Sequence, residues 1–202
     1  MDWLDYQYAP TLRGAIGAGF GYTDVKVGAD MTYEQVQGRI SWHPGRKLTL
    51  VFNGGFEDRQ FLKSEQSSQF NPIFQLNLQY QIFDQTFISL VAEQTVEASY
   101  FAGQTSEVTG FDVGFRQRLL GKLFLDLNAG YHTTDYHSTE TGGSTSADRS
   151  DSLVSITGRL TFMFLKHGRA SLFYDWSRNT SSDEGSFGYT SNQVGVELGY
   201  RL

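Results

Sequence analysis

The chain has 202 residues, of which 39% are hydrophobic and 15% aromatic, with a formal net charge of −6 and no cysteine. The negative charge argues against nucleic acid as a partner, and the absence of cysteine excludes disulfides and thiolate metal sites. No stretch approaches the roughly 18 consecutive apolar residues that a transmembrane helix requires, so helical membrane spanning is excluded.

Apolar and polar residues alternate with a period of two in ten segments. In residues 74–82 every second side chain is apolar, as in Leu76 and Leu78, and those between are amides, as in Asn77 and Gln79. Such alternation predicts strands with one apolar and one polar face. The segments are residues 12–25, 31–43, 48–57, 74–82, 86–100, 111–119, 123–132, 154–164, 170–176 and 193–202. Because the pattern keeps its character throughout, residues 1–202 are predicted to form a single domain.

The connections between these segments alternate between short and long. Short turns occupy residues 43–47, 83–86, 120–122 and 166–168, whereas long polar connections occupy residues 61–70, 137–149 and 179–187. The connections near Asp24 and Gly103 are of middling length. This sorting is typical of outer-membrane barrels, which have short periplasmic turns and longer extracellular loops. We therefore predict an all-β, antiparallel, up-and-down transmembrane β-barrel of about ten strands (about 10 to 12) in the bacterial outer membrane.

Aromatic residues lie near both ends of the apolar faces. They are Trp42, Tyr80, Phe164 and Tyr200 beside the short turns, and Tyr22, Tyr100, Tyr131 and Trp176 toward the long connections. Because amphipathic rings favour the lipid headgroup level, this placement predicts two aromatic girdles and an apolar face that contacts outer-membrane lipid. A general preference of aromatic residues for strands is the alternative explanation.

Residues 1–10 contain a shorter alternating stretch. Leu4 and Tyr6 alternate with Asp5 and Gln7, which predicts the end of a strand. Bacterial single-chain barrels generally have an even number of strands. Residues 1–10 therefore have two interpretations, an extra arm on a closed ten-stranded barrel or the remnant of a preceding strand in a larger, truncated one.

The end of the chain has the spacing of a barrel-assembly signal. Gln193, Gly195, Leu198 and Tyr200 provide a polar, glycine, apolar and aromatic order. This order resembles the carboxy-terminal signal that the bacterial barrel-insertion machinery reads, although that signal more often ends in phenylalanine. The resemblance implies that this machinery is a partner during assembly.

Three short segments carry a resemblance to a family. They are GRISWHP at residues 38–44, SYFAGQ at residues 99–104 and RQRLLG at residues 116–121. They resemble outer-membrane β-barrel porins found with exopolysaccharide gene clusters. The resemblance covers most of the chain and implies a porin-like protein that transports polysaccharide or small solutes. Members of that family are usually longer, which implies that the chain is a C-terminal portion of such a member.

The polar faces carry equal numbers of opposite charges, and these residues are predicted to line the lumen. The basic residues are Arg13, Arg39, Arg59, Arg116, Arg118, Arg159 and Arg201, and the acidic residues are Glu57, Glu93, Glu97, Asp112, Asp126, Asp175 and Glu197. A charge-based selectivity filter would cluster one sign. The equal numbers of opposite charges instead favour a network of arginine and carboxylate pairs in a narrow lumen. The alternative is that these residues are hydrated side chains on the wall of a wider pore.

The sequence offers little catalytic chemistry. His132, Asp135 and His137 form the one cluster of catalytic residue types, but no nucleophile accompanies them, and the four histidines lack metal-ligand spacing. We predict no catalytic residue, no metal site and no cofactor. Gly14, Gly17, Gly19 and Gly21 lie in a strand without a following helix, so they are interpreted as bending the strand or leaving room for long side chains opposite.

Together these features predict a non-enzymatic outer-membrane barrel that acts as a narrow porin or as the wall of an export-associated pore. The first alternative is a structural or surface-binding barrel with a closed lumen, whose extracellular loops bind sugars, lipopolysaccharide or other cells. The second alternative is a soluble, lipocalin-like barrel, which would fold without detergent.

Overall fold

The computed structural model describes residues 1–24, 30–62, 68–98, 104–138, 149–164, 167–183 and 187–200. These residues form eleven strands in one sheet, and each strand is antiparallel to its neighbours in the chain. The strands are β1 (Asp2–Ala9), β2 (Leu12–Thr23), β3 (Met31–Trp42), β4 (Leu48–Phe61), β5 (Gln69–Phe83), β6 (Thr86–Ala98), β7 (Gln104–Leu120), β8 (Leu123–Ser138), β9 (Arg149–Phe164), β10 (Gly168–Ser181) and β11 (Tyr189–Tyr200). The predicted all-β, up-and-down architecture is confirmed, and the strand number lies within the predicted range.

The spatial order of the strands is their chain order, so β1 and β11 form the two edges of the sheet. No pairing joins these two edges within the described residues. β1 pairs with β2 from Asp2, opposite Ala18, to Ala9, opposite Leu12. Residues 2–9 therefore form an edge strand of eight residues that pairs with β2. In the described part of the chain no helix has the length and hydropathy needed to cross a membrane.

The connections alternate in length as the sequence predicts. β5 is joined to β6 by residues 84–85 and β7 to β8 by residues 121–122, whereas residues 139–148 separate β8 from β9. We call the ends of the strands at the short connections the short-turn end of the sheet, and the opposite ends the long-loop end. Gly121 in one short turn has a φ of 38°, a left-handed conformation that favours glycine.

One face of the sheet, here the outer face, exposes large apolar side chains. Phe20 is 88% exposed, Leu4 79% and Leu198 74%, and among the described residues every strand except β6 exposes a large apolar side chain on this face. An apolar surface of this extent is rare on soluble monomeric proteins and fits a lipid environment. Of the predicted girdle residues, Tyr22, Tyr131, Trp42, Tyr80 and Tyr200 are exposed; Tyr100 lies outside the described residues.

The opposite face, here the inner face, is polar and concave. Its side chains reach past an intervening strand: Arg39 of β3 contacts Trp3 of β1, and Arg159 of β9 contacts Glu197 of β11. The inner-face glycine Gly17 is buried, whereas Ile16 and Ala18, the outer-face residues on either side of it, are exposed. This curvature and the split between polar and apolar faces position the candidate site.

Several strands extend beyond the apolar segments that the sequence predicts. β8 continues to Ser138 and β9 begins at Arg149, where the outer face carries polar residues such as Thr133, Asp135 and Ser152. The strands remain paired there although both faces are polar. The predicted strands were therefore too short, because they stopped before the long-loop end that β8 and β9 reach.

Candidate functional site

On the inner face, six of the residues predicted to line the lumen form three pairs of an arginine and a carboxylate. Arg59 Nη2 lies 2.5 Å from Glu57 Oε1, and the two side chains are only 6% and 2% exposed. Arg159 Nη1 lies 2.8 Å from Glu197 Oε2. Arg116 contacts the carboxylate of Asp126, its direct partner in the register between β7 and β8.

The pair of Glu57 and Arg59 forms part of a buried cluster near the long-loop end. The side-chain amide of Gln35 donates a 2.5 Å hydrogen bond to Glu57. Arg59 also donates a 2.8 Å hydrogen bond to the carbonyl oxygen of Val96 on β6. Buried Met31, Phe61 and Ile73 lie at the same end of the sheet. A carboxylate and a guanidinium can be buried here because each one has partners for its charge.

The bond from Arg59 to Val96 lies where β5 and β6 separate. Their register ends at Phe74, opposite Gln94. Two residues further, that register would place Pro72 opposite Val96. Proline has no N–H to donate to a ladder. Arg59, which reaches from β4, supplies a donor to β6 in its place.

Two further predicted residues make polar contacts with neighbours on the inner face. Arg39 donates a 2.7 Å hydrogen bond to the Asn53 side chain, and its guanidinium lies 3.9 Å from the centre of the Trp3 ring. Asp112 Oδ2 lies 3.1 Å from His132 Nε2. These contacts extend the polar network from β1 to β4 and from β7 to β8.

Five other predicted residues lie on the inner face and form no ion pair with another described residue. Arg118 donates to the carbonyl oxygen of Gly121 at 2.5 Å and lies 3.4 Å from the side-chain oxygen of Gln85. The remaining four, which form no ion pair with another described residue, are Arg13, Glu93, Glu97 and Asp175. Arg201 lies outside the described residues.

The inner face also forms a recess of about 880 Å³ at the short-turn end of β5 to β10. Arg116, Arg159 and Arg169 contribute its cationic groups. Phe87 and Phe124 contribute apolar wall. We call this cavity the arginine recess. Its volume lies within the range of about 300–1,000 Å³ that small-molecule sites occupy.

Arg169 is a site residue that the sequence analysis missed. Its Nη2 atom lies 2.7 Å from Glu197 Oε1, so Glu197 accepts from both Arg159 and Arg169. The alternation could have identified it. Arg169 lies one residue before the predicted segment 170–176 and, by the period of two, on the same face as Ser171 and Phe173. Arg149 and Asp151, 3.3 Å apart, were missed because the predicted connection ended at residue 149 and the next predicted strand segment began only at residue 154.

The histidine cluster noted in the sequence is divided between the two faces. His132 is on the inner face with Asp112, whereas the register places Asp135 and His137 on the outer face. In the described part of the chain, no three histidine, aspartate or glutamate side chains come together as metal ligands.

No protein-family model and no curated protein matches the chain. Among solved structures it is similar to the copper transporter OprC, with a TM-score of 0.57 and 10% sequence identity over 93% of this chain and 37% of that chain. It is also similar to OmpT, an outer membrane protein of Vibrio cholerae, with a TM-score of 0.52 and 14% identity over 98% of this chain and 63% of that chain. The loop L8 deletion mutant of OmpT gives a TM-score of 0.50 and 12% identity over 98% and 61% of the two chains.

The chain thus spans less than two thirds of the length of each of these structures. At such low identity the likeness establishes the fold alone. That fold is the antiparallel meander of outer-membrane β-barrel proteins. The predicted fold class is thereby supported independently of the alternation in the sequence.

Proposed function

We propose that the chain forms part of the wall of a bacterial outer-membrane β-barrel through which small solutes pass, as in a porin. The protein catalyses no reaction in this proposal. The observation that carries this proposal is the separation of the two faces. The outer face leaves Phe20, Leu4 and Leu198 largely exposed, while the inner face has charged and amide side chains around a recess of about 880 Å³. An apolar exterior and a polar interior are what a transmembrane barrel requires.

Outer-membrane lipid is the partner that this proposal implies for the outer face. The carboxy-terminal spacing of Gln193, Gly195, Leu198 and Tyr200 supports assembly by the barrel-insertion machinery. The resemblance to porins of exopolysaccharide gene clusters supports polysaccharide or small solutes as the cargo. The separation of His132 from Asp135 and His137 supports a non-enzymatic role, since the one cluster of catalytic residue types noted in the sequence is divided between the two faces.

A barrel with a closed lumen is the second candidate. It is favoured by the extension of β7 to β9 at the long-loop end, where Thr133 and Asp135 make the outer face polar. Strands that rise above the membrane in this way offer a surface for binding sugars or other cells. The paired charges of Glu57 and Arg59, which fill space on the inner face, favour the same alternative.

Planar-bilayer recording of the purified protein separates these two functions. Stable conductance steps are expected from the porin, since its lumen contains water and ions. Persistent silence of protein that is folded by circular dichroism would contradict the porin and support the closed lumen. A monodisperse, β-rich protein recovered from buffer without detergent would contradict the membrane assignment itself.

A further inference from the structure

The charges of the inner face balance in number but are separated along the strands. We define the basic band as the inner-face charged strand residues that lie within about five positions of the short-turn end. Its members are Arg13, Arg39, Arg116, Arg118, Arg159 and Arg169, with Asp5, Asp126 and Glu197. Among the described residues this band has an excess of three positive charges.

The other inner-face charges form an acidic band toward the long-loop end. Its members are Glu57, Glu93, Glu97, Asp112, Asp151 and Asp175, with Arg59 and Arg149. In the described part of the chain the excess here is four negative charges. Clustering of charges of one sign is the feature that produces ion selectivity in a pore. The equal total numbers of basic and acidic inner-face residues in the sequence do not reveal this clustering.

The arginine recess lies in the basic band and has more cations than anions. Among the described residues, Arg116, Arg159 and Arg169 pair with two carboxylates, those of Asp126 and Glu197. Their side chains are also 64%, 39% and 57% exposed, respectively. Each guanidinium has five N–H donors, so the pairs with Asp126 and Glu197 leave donors free for a ligand. The recess is thus an incompletely neutralised cationic site that is open to the lumen.

The residues of the recess define the chemical class of its ligand. The planar fork of arginine matches carboxylate and phosphate groups and binds them through two hydrogen bonds. Phe87, Phe124 and Met163 line the same cavity and provide apolar surface for the carbon body of a ligand. Sugar rings pack their C–H faces on aromatic side chains, so the combination fits an acidic sugar better than a bare inorganic ion.

We propose that the arginine recess binds small organic anions of sugar size that carry a carboxylate or a phosphate group. This proposal rests on the proposed function, because it names the solute class that the pore would accept. In the pore, the recess concentrates such anions at the short-turn end, while the acidic band concentrates cations at the other end.

Isothermal titration calorimetry of the folded protein in detergent tests the site independently of conduction. The titrants are glucuronate, glucose 6-phosphate, glucose and inorganic phosphate. Glucuronate and glucose 6-phosphate are expected to bind at least about tenfold more tightly than glucose, a difference of about 1.4 kcal/mol. Equal binding of glucose would overturn the anion site. Binding of inorganic phosphate as tight as that of both acidic sugars would overturn the role of the apolar wall.

Variants localise the binding. The double variant Arg116→Gln with Arg169→Gln should lose at least about tenfold in affinity for glucuronate. The matched control, Arg46→Gln with Lys122→Gln, removes two charges from short turns outside the recess and should bind as the original protein does. Equal losses in both double variants would overturn the proposal. Arg169→Lys keeps the charge at an exposed position, is expected to fold, and should weaken binding because the fork is lost.

The two proposals fail in different ways. If the protein conducts but does not bind glucuronate or glucose 6-phosphate, the arginine recess is not their site and the porin remains. If both acidic sugars bind but no conductance appears, the site stands as a binding site on a non-conducting barrel and the porin is contradicted.

Discussion

The guanidinium of Arg39 on β3 lies 3.9 Å from the centre of the Trp3 indole on β1, across the intervening strand β2. The contact depends on Gly17 of β2, the direct partner of Trp3 in the register. A Cβ atom at residue 17 would lie 2.7 Å from the indole ring, which is too close for any side chain. The glycine thus lets the ring lie flat over the backbone and reach the arginine.

We expect Gly17→Ala to displace the Trp3 ring and to lower the free energy of unfolding by about 1 kcal/mol, the typical value of a cation–π contact. Urea unfolding in lipid vesicles measures this change. The control is Gly38→Ala, because a Cβ atom at residue 38 would have its nearest neighbour at 3.9 Å. Equal effects of the two substitutions would show that the contact of Trp3 and Arg39 contributes nothing measurable.

Leu78→Arg tests the assignment of the two faces. Leu78 lies on the outer face between Leu50 and Leu90, whereas Gln79 lies on the inner face opposite Thr49 and Ser89. An arginine at the middle of the lipid-facing surface should cost about 2–4 kcal/mol, whereas Gln79→Arg should cost little because its side chain reaches water. A refolding titration into vesicles gives both values, and equal costs would refute the assignment.

Much of the fold could be predicted from the sequence because lipid imposes its pattern at every second residue. The alternation around Leu78 and Gln79 follows directly from one apolar and one aqueous environment. The ends of β8 and β9 could not be predicted in this way. Beyond Tyr131 both faces are polar, so the alternation disappears while the hydrogen-bonded ladder continues through Thr133 and Asp135.

For the candidate site, the sequence predicts which residues lie on the inner face but not which of them contact each other. Parity alone assigns Arg116, Asp126 and Glu197 to the inner face. Which residues meet depends on register, as in the direct pairing of Arg116 with Asp126. It also depends on distance across a strand, as in Arg159 with Glu197. The axial separation of charge was missed because the sequence totals do not record how far each residue lies from a turn.

The buried pair of Glu57 and Arg59 should be sensitive to loss of either partner. Glu57→Gln leaves a buried guanidinium without its counterion, and Arg59→Met does the same to the carboxylate, so each should cost about 3–5 kcal/mol of unfolding free energy. The double variant should cost clearly less than the two single costs added together. Additive costs in a double-mutant cycle by urea unfolding would show that the two residues act independently.

Hydrogen exchange should distinguish the two kinds of strand end at the long-loop end. Residues 133–136 of β8 pair with both β7 and β9, so their amides should remain protected although they lie beyond the apolar surface. Residues 69–73 of β5 pair with β4 alone, because the register with β6 ends at Phe74. About half of their amides lack a ladder partner and should exchange faster. Mass spectrometry of the folded protein in lipid vesicles measures the exchange of both peptides.

Rapid exchange throughout residues 133–136 would mean that β8 ends at the membrane surface. Protection of residues 69–73 equal to that of residues 133–136 would mean that β5 and β6 stay paired beyond Phe74.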